Sequence, residues 1–182
     1  PNTSREEIMR VSRKIVSEKG LPALNMRALA KECGIALGTL YNYYSDKDEL
    51  VVAAIESVWQ DILEKRAPDS GVRFSQYVTQ IYARILSGLK DYPDFFAAHS
   101  ISVAGSAKGK ARGTMERCFG KIRAELHAAL LADKNVDRGI FSETFREENL
   151  IGHILDTITI SIIKGKSDCA ALTEILDRLL YR

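Results

Sequence analysis

Hydroxyl, basic and aromatic side chains occur close together between residues 26 and 50, where the sequence is MRALAKECGIALGTLYNYYSDKDEL. The hydroxyl groups of Thr39 and Tyr41 can donate hydrogen bonds to phosphate oxygens, and Lys47 supplies a positive charge. The planar guanidinium of Arg27 can bind a phosphate or the edge of a guanine. These side chains are chemically suited to a nucleic acid, provided that the chain presents them on one surface.

The elements that would carry these residues have the pattern of two short helices joined by a turn. The first helix is predicted at residues 26–32, and the second at residues 37–44. The turn between them contains Gly34, which can adopt a positive φ. This layout is typical of a DNA-binding helix-turn-helix, whose second helix lies in the major groove.

The order Leu40-Tyr41-x-Tyr43-Tyr44, followed by Ser45-x-Lys47, resembles the signature of the TetR-type transcriptional regulators. The resemblance covers residues 4 to about 55. It implies that Thr39, Tyr41 and Lys47 contact the DNA backbone. Lys47 would do so at the start of a fourth helix, where free N–H groups also favour an anion. It further implies that Gly38 occupies a position that is commonly small because the backbone approaches DNA there.

Sequence readout is expected to be sparse, because two positions depart from the family pattern. Ala36 stands where a capping Ser is frequent, which costs about 1 kcal/mol of helix stability. Leu37 stands where a polar side chain is frequent, and it can contact only a thymine methyl or a sugar. Shape readout, Arg27 and Tyr43 would therefore share the discrimination between sequences.

No other group of residues indicates catalysis, a metal or a cofactor. The three histidines are far apart, no Cys/His cluster occurs, and no nucleophile elbow or paired-carboxylate signature is present. The segment Gly105–Ala111 resembles a phosphate-binding loop only faintly and is interpreted as a connection. We therefore expect a protein that is not an enzyme and that has no catalytic residues, metal site or cofactor.

Composition and charge agree with an ordinary globular protein. Of the 182 residues, 46% are hydrophobic and 27% are charged, and the net charge is only +2. DNA affinity must therefore come from where the charges are placed. The three cysteines are widely spaced and no apolar run approaches a membrane span, which predicts a reduced, cytoplasmic protein without membrane contact.

Helical periodicity continues through the whole chain and predicts an all-α fold of about nine helices. Ser4 and Glu7 predict a capping box, and Asn25, Ser45 and Ser167 are predicted N-caps. A short aromatic helix is predicted at 94–104, and Ser142 is predicted to open a long apolar helix. The expected organisation is a three-helix helix-turn-helix DNA-binding domain at residues 1–48 and a helical effector and dimerisation domain at residues 49–182.

The middle helices combine aromatic rings with a few polar groups, which is the composition of an apolar ligand pocket and equally of a helical core. The resemblance implies an effector pocket among these helices, for an apolar or aromatic small molecule. The candidate residues are Tyr77, Tyr82, Phe95, Phe96, His99, Met115 and Phe119.

The last two helices carry more apolar residues than one stripe can bury, which indicates a partner or a deeply buried helix. The resemblance implies a homodimer through a four-helix interface. The candidate residues are Ile151, Ile154, Leu155, Ile158, Ile162, Leu172, Leu176 and Leu179.

The sequence thus predicts a homodimeric DNA-binding transcriptional regulator of a palindromic operator, and more specifically a repressor released by a small-molecule effector. A helical ligand-binding or interaction protein without a DNA target is the alternative, and an all-α hydrolase is a third class. Operator and effector cannot be named from the sequence.

Overall fold

Eight α-helices and two short 3₁₀ turns form the part of the chain that the computed structural model describes, residues 3–64, 69, 71–96 and 110–181. These residues contain no strand, so the predicted all-α class is confirmed. The helices are α1 (Arg5–Lys19), α2 (Met26–Cys33), α3 (Leu37–Tyr41), α4 (Lys47–Glu64), α5 (Phe74–Leu89), α6 (Lys110–Ala132), α7 (Glu147–Ile163) and α8 (Ala170–Leu180). The aromatic helix predicted at 94–104 lies mostly outside the described residues. None of the described helices is long and apolar enough to cross a membrane.

The first two helices begin at their predicted N-caps, Ser4 and Asn25. Of the predicted capping box only the Ser4 half is present among the described residues, because the Glu7 carboxylate binds Arg10 instead. The Ser4 hydroxyl accepts a hydrogen bond from the Glu7 N–H at 3.1 Å, and the Asn25 side chain accepts one from the Ala28 N–H at 2.9 Å. Each bond satisfies an N–H group that has no partner within the helix. Their apolar faces are buried, with Ile8 and Leu29 completely inaccessible.

Three other helices begin later than predicted, because a different side chain or turn sets each start. Asp46 caps α4 by accepting from the Glu49 N–H at 2.8 Å, and Asp168 accepts from the Ala170 N–H at 2.9 Å before α8. Ser45 and Ser167 are therefore not the caps. Ser142 instead closes a turn by accepting from the Phe145 N–H at 3.1 Å, and α7 begins five residues after it, at Glu147.

The described contacts divide the chain into two compact units. Unit 1 comprises residues 1–64 and 88–118, and unit 2 comprises residues 65–87 and 119–182. These units follow packing, whereas the predicted division at residue 48 is functional and stays a prediction.

Unit 1 is centred on Trp59 of α4. The Trp59 ring meets Phe95 and Phe96 edge to face, with centroids 6.1 and 5.8 Å apart. The Tyr92 hydroxyl donates to the Asp61 carboxylate at 2.5 Å. Burial and this hydrogen bond raise the pKa of Tyr92 well above its usual range, so it stays a neutral donor. The segment after α5 is thereby tied to α4 within unit 1.

Unit 2 is held together by a buried carboxylate. Asp133 is 7% exposed and accepts hydrogen bonds from the Phe74 N–H at 2.8 Å, the Tyr181 hydroxyl at 2.6 Å and the Asn135 N–H at 3.0 Å. Phe74 begins α5 and Tyr181 follows α8, so the Asp133 side chain joins two distant segments to its own, the turn after α6.

Candidate nucleic-acid interface

The helix-turn-helix is fixed by its turn and by two leucines. Gly34 ends α2 in the left-handed conformation with φ of 65°, where a side chain would be strained. The Ile35 N–H then donates to the Ala30 carbonyl at 3.0 Å, which closes the end of α2. Leu29 of α2 and Leu40 of α3 are completely buried. Together these features determine which side of α3 faces solvent.

Most of the side chains predicted to contact DNA lie on the exposed surface. Arg27, Gly38, Thr39, Tyr41 and Lys47 are exposed, and Tyr41 is 48% accessible. The Tyr41 hydroxyl has no hydrogen-bond partner among the described residues. An exposed aromatic ring with a free hydroxyl suits contact with a phosphate better than packing in this chain.

Lys47 is the first residue of α4, beside a helix end that is already partly neutralised. Asp46 occupies the Glu49 N–H, and the Glu49 carboxylate accepts from both the N–H and the hydroxyl of Ser45, each at 2.7 Å. These two bonds from Ser45 hold the pKa of Glu49 below its usual value. The helix end therefore offers fewer free N–H groups to an anion than expected, and the Lys47 ammonium is the cationic group beside it.

Tyr43 lies just beyond the end of α3 and is half-buried. Its hydroxyl donates to the Thr3 carbonyl at 2.6 Å, and its own carbonyl accepts from the Arg5 guanidinium at 2.9 Å. The guanidinium also lies over the Tyr44 ring, 5.2 Å from its centroid. Tyr43 thus holds the start of α1 against the end of the helix-turn-helix, and only its exposed edge is available to DNA.

The start of α3 presents few polar side-chain groups. Ala36 provides no side-chain cap, and Leu37 is half-buried. A Cβ added to Gly38 would meet no described residue within 4 Å. Internal packing therefore does not require glycine at this position, which favours an external reason for the small residue.

Asn42 is an exposed candidate that the sequence reasoning missed. It caps the carboxyl end of α3, and its amide group has no hydrogen-bond partner among the described residues. An amide of this kind can bind adenine through two hydrogen bonds. Its position between Tyr41 and Tyr43, both predicted to contact DNA, was the feature of the sequence that could have indicated it.

The predicted effector residues fall into both compact units. Tyr77, Tyr82 and Phe119 belong to unit 2, whereas Phe95 and Phe96 are buried around Trp59 in unit 1. His99 and the Met115 side chain lie outside the described part of the chain. The Tyr82 hydroxyl donates to the Lys166 carbonyl at 2.8 Å, so this group already has a partner.

A groove of about 550 Å³ does occur within unit 1, between α1 and α4. Its lining residues are Arg5, Glu6, Met9, Arg13, Tyr44, Ala53, Glu56, Ser57, Gln60, Asp61 and Glu64. None of the described effector candidates lines this groove. The predicted effector pocket therefore stays a prediction.

The predicted dimer residues mostly face the interior of unit 2. Ile151, Ile154, Leu155, Ile158 and Leu176 are buried within the chain itself, Ile162 and Leu172 are half-buried, and Leu179 is 38% exposed. Ile160, Ile163 and Ile175 of the same helices are more exposed, at 52%, 61% and 60%. The apolar composition therefore divides between the core and four outer residues of α7 and α8, which are Ile160, Ile163, Ile175 and Leu179.

Sequence comparison matches the helix-turn-helix region to one family. Residues 8–54 fit the family described as bacterial regulatory proteins, tetR family. The HTH-type transcriptional regulator UidR of Escherichia coli strain K12 is 33% identical over 78 residues, which are 42% of this chain and 40% of UidR. An uncharacterized HTH-type transcriptional regulator of Haemophilus influenzae is 33% identical over 99 residues, 48% of this chain and 53% of that protein. The chain therefore spans only about half of the length of these relatives, or less.

Solved structures resemble a much larger part of the chain. The multidrug binding protein EbrR, complexed with imidazole, has a TM-score of 0.63 at 16% identity over 100% of this chain and 97% of EbrR. The Streptomyces coelicolor protein ActR, in complex with (S)-DNPA, has a TM-score of 0.57 at 18% identity over 93% of this chain and 74% of ActR. At these identities the likeness shows a shared fold.

Proposed function

Because residues 8–54 fit the tetR family of bacterial regulatory proteins, we propose that the chain is a member of this family. It would be a sequence-specific transcriptional regulator that binds a palindromic operator as a homodimer. The exposed surface of α3 and the start of α4 carries this proposal. It presents a free tyrosine hydroxyl at position 41, a threonine hydroxyl at position 39 and the ammonium of Lys47. These groups suit contact with successive phosphates, while α3 lies in the major groove.

Selection of bound fragments from a random DNA library tests this function directly. A two-fold symmetric consensus is expected, because each half-site meets one recognition helix. Its half-sites should lie about 34–36 Å apart or at a multiple of that distance. Affinity for the consensus should fall steeply with salt, since phosphate contacts release counterions. A selection that yields no consensus, with no salt-dependent binding, would instead favour a ligand-binding protein without a DNA target.

The regulator is further proposed to be a repressor released by a small molecule. EbrR and ActR were each solved with a small molecule, which supports a ligand-responsive fold. Such a ligand weakens operator binding only if it prefers the conformation that does not fit DNA. A coupling of about 1–3 kcal/mol would change operator affinity about 5–150-fold.

Helix α4 is the proposed route of this coupling. Within unit 1 its Ser57 accepts from Arg13 of α1 at 2.5 Å, and its Trp59 contacts Phe95 and Phe96. A shift of α4 would therefore move α1 and the helix-turn-helix together. Because the duplex fixes the distance between half-sites, a displacement of the recognition helices misaligns one of them.

Reciprocal titration by calorimetry tests the switch once a ligand is known. Operator DNA must weaken ligand binding by the same factor by which the ligand weakens operator binding. A bound ligand that leaves operator affinity unchanged would indicate a constitutive regulator.

A further inference from the structure

Unit 2 contains a buried arginine that has no role in the helix-turn-helix. Arg84 of α5 is 7% exposed, and its side chain is 5% exposed. Burying a guanidinium is costly unless its charge is paired and its N–H groups are hydrogen-bonded. A buried arginine is therefore expected to have a complete set of partners.

The partners of Arg84 are incomplete. Its Nη2 donates to the Glu125 carboxylate of α6 at 2.8 Å, but its Nε is buried and has no hydrogen-bond partner in the part of the chain that the structure describes. A planar guanidinium can bind a carboxylate through two parallel hydrogen bonds, and the single bond to Glu125 leaves part of this capacity unused.

Glu125 is the solvent-accessible member of this pair. Its side chain is 39% exposed and that of Arg84 is 5% exposed, so rotation into water is open to the carboxylate but not to the guanidinium. The vacated guanidinium would then need another anion, because an unpaired buried charge is strongly unfavourable. A ligand that carries its own carboxylate meets this need.

Tyr77 lies on the same face of α5 as Arg84, seven residues earlier, and is half-buried. Burial raises the pKa of Tyr77, the nearby Glu125 carboxylate adds to the rise, and Arg84 opposes it. The Tyr77 hydroxyl makes no hydrogen bond to the described residues. The surroundings of Arg84 thus combine an aromatic ring, a free hydroxyl and a replaceable carboxylate.

We propose that Arg84 anchors the carboxylate of a small-molecule effector, with Glu125 as the intramolecular group that this carboxylate displaces. The ligand class is a carboxylic acid with an aromatic or aliphatic body, and the body would lie against Tyr77. The inference rests on the proposed ligand-responsive function and specifies its chemistry, since apolar character alone would not require a buried cation.

Matched acids and amides test the proposal on the full chain. Benzoate, 2-naphthoate and decanoate would each be titrated by calorimetry beside the corresponding primary amide. At least one acid should bind about tenfold or more tightly than its amide, because only the acid supplies a charge to Arg84. If no acid binds more tightly than its amide, including the case in which no acid binds, the proposal is overturned.

Variants of the ion pair separate a ligand anchor from a purely structural pair. Glu125→Gln removes the competing charge, so it should raise the affinity of the preferred acid and leave that of the amide unchanged. The matched control Glu143→Gln changes an exposed carboxylate in the same unit and should alter neither. If Glu125→Gln lowers acid affinity or leaves it unchanged, Glu125 is not a displaceable group and the proposal fails.

Substitution of the arginine provides the complementary measurement. Arg84→Met should abolish the preference for acid over amide, whereas Arg123→Met, at an exposed position of α6, should retain it. If Arg84→Met does not fold, Arg84→Lys replaces it in the test. This variant keeps the charge and removes the planar guanidinium, so the preference for acid over amide should become smaller but persist. If Arg84→Lys and Arg84→Met both keep the full preference for acid over amide, the carboxylate binds at another site and the proposal fails.

Operator binding, measured in parallel, keeps this proposal distinct from the proposed function. Loss of the acid preference in a chain that binds its operator overturns only the carboxylate inference. A preserved acid preference in a chain without a DNA target overturns only the regulatory function.

Discussion

Substitution of single residues, Lys47 and Tyr41, tests the proposed DNA contact most directly. Lys47→Ala and Tyr41→Phe should weaken binding to all sequences alike, because each removes a group placed on the backbone. Lys47→Ala should also reduce the slope of log affinity against log salt by about one. The measurement is a fluorescence anisotropy titration of operator and non-specific DNA at several salt concentrations.

Lys121→Ala, at an exposed lysine of α6, is the matched control and should leave both affinity and slope unchanged. An unchanged salt slope in Lys47→Ala would show that the start of α4 does not contact the phosphate backbone. A change of sequence preference, by contrast, is expected from Arg27→Ala or Asn42→Ala, since those side chains can reach base edges.

Asp133 is the residue whose protonation should govern the acid stability of unit 2. Burial raises the pKa of this carboxyl, but the hydrogen bonds from Tyr181, Phe74 and Asn135 outweigh burial and hold the pKa below 3.8. A carboxyl with a lowered folded pKa stabilises the protein above its unfolded pKa, and this contribution disappears as pH falls through the folded value. Stability should therefore decline below about pH 4.

Asp133→Asn should lower the free energy of unfolding by about 1.5–3 kcal/mol near neutral pH, the scale of one hydrogen bond to a charged group. It should also flatten the decline in acid, because the titrating group is absent. Urea unfolding at a series of pH values measures both effects. Asp156→Asn, on the exposed side of α7, is the control; equal acid slopes for wild type and Asp133→Asn would contradict the assignment.

Among the contacts between helices, one in unit 1 depends on a glycine. Gly88, near the end of α5, packs closely against α4. A Cβ built on Gly88 would lie 2.6 Å from Ile62 Cγ2 and 3.0 Å from the Ile62 Cα. Because one of these atoms belongs to the backbone, α4 itself would have to move. The helices can approach this closely only where no side chain intervenes.

Gly88→Ala should therefore destabilise the protein, although alanine is the better helix former. Overpacking costs about 1–3 kcal/mol, which exceeds a gain in helix propensity of about 1 kcal/mol or less. Gly120→Ala is the matched control on α6, where a Cβ meets nothing within 4 Å, and it should be stabilising. If thermal unfolding shows Gly88→Ala to be more stable than wild type, the close contact between Gly88 and Ile62 is contradicted.

For the whole molecule, the prediction concerns the four outer residues of α7 and α8, which are candidates for a dimer interface. Ile175 is 60% exposed, whereas its neighbour Leu176 is 1% exposed. Ile175→Glu should leave the chain folded and dissociate the proposed dimer, because it places a charge in the interface. Leu176→Glu and Ile158→Arg should instead unfold the chain, since each buries an unpaired charge.

Sedimentation velocity combined with circular dichroism distinguishes these outcomes. Leu131→Glu, at a residue 53% exposed near the end of α6, is the control and should leave both association and fold unchanged. A wild-type monomer at tens of micromolar, or an Ile175→Glu protein that remains dimeric, would show that these outer residues do not form the proposed interface.

Local sequence by itself determined the helices and the helix-turn-helix, because capping, helical periodicity and turn glycines act over a few residues. Ser4, Asn25 and Gly34 each act within one turn of their own position, so their roles could be predicted without distant partners. The predicted starts of α4, α7 and α8 were wrong by a few residues, since several polar side chains compete at each of these helix ends.

Only the tertiary structure decided how distant residues divide among surface, core and ion pairs. The apolar composition of α7 and α8 was visible in the sequence, but which isoleucines face outward depends on packing within unit 2. Tyr43 was predicted to take part in sequence discrimination, but the sequence did not show that its hydroxyl donates to Thr3, 40 residues away. Arg84 and Glu125 are 41 residues apart, and neither belongs to a local motif. Burial and electrostatic pairing of this kind depend on which helices meet, and no short stretch of sequence contains that information.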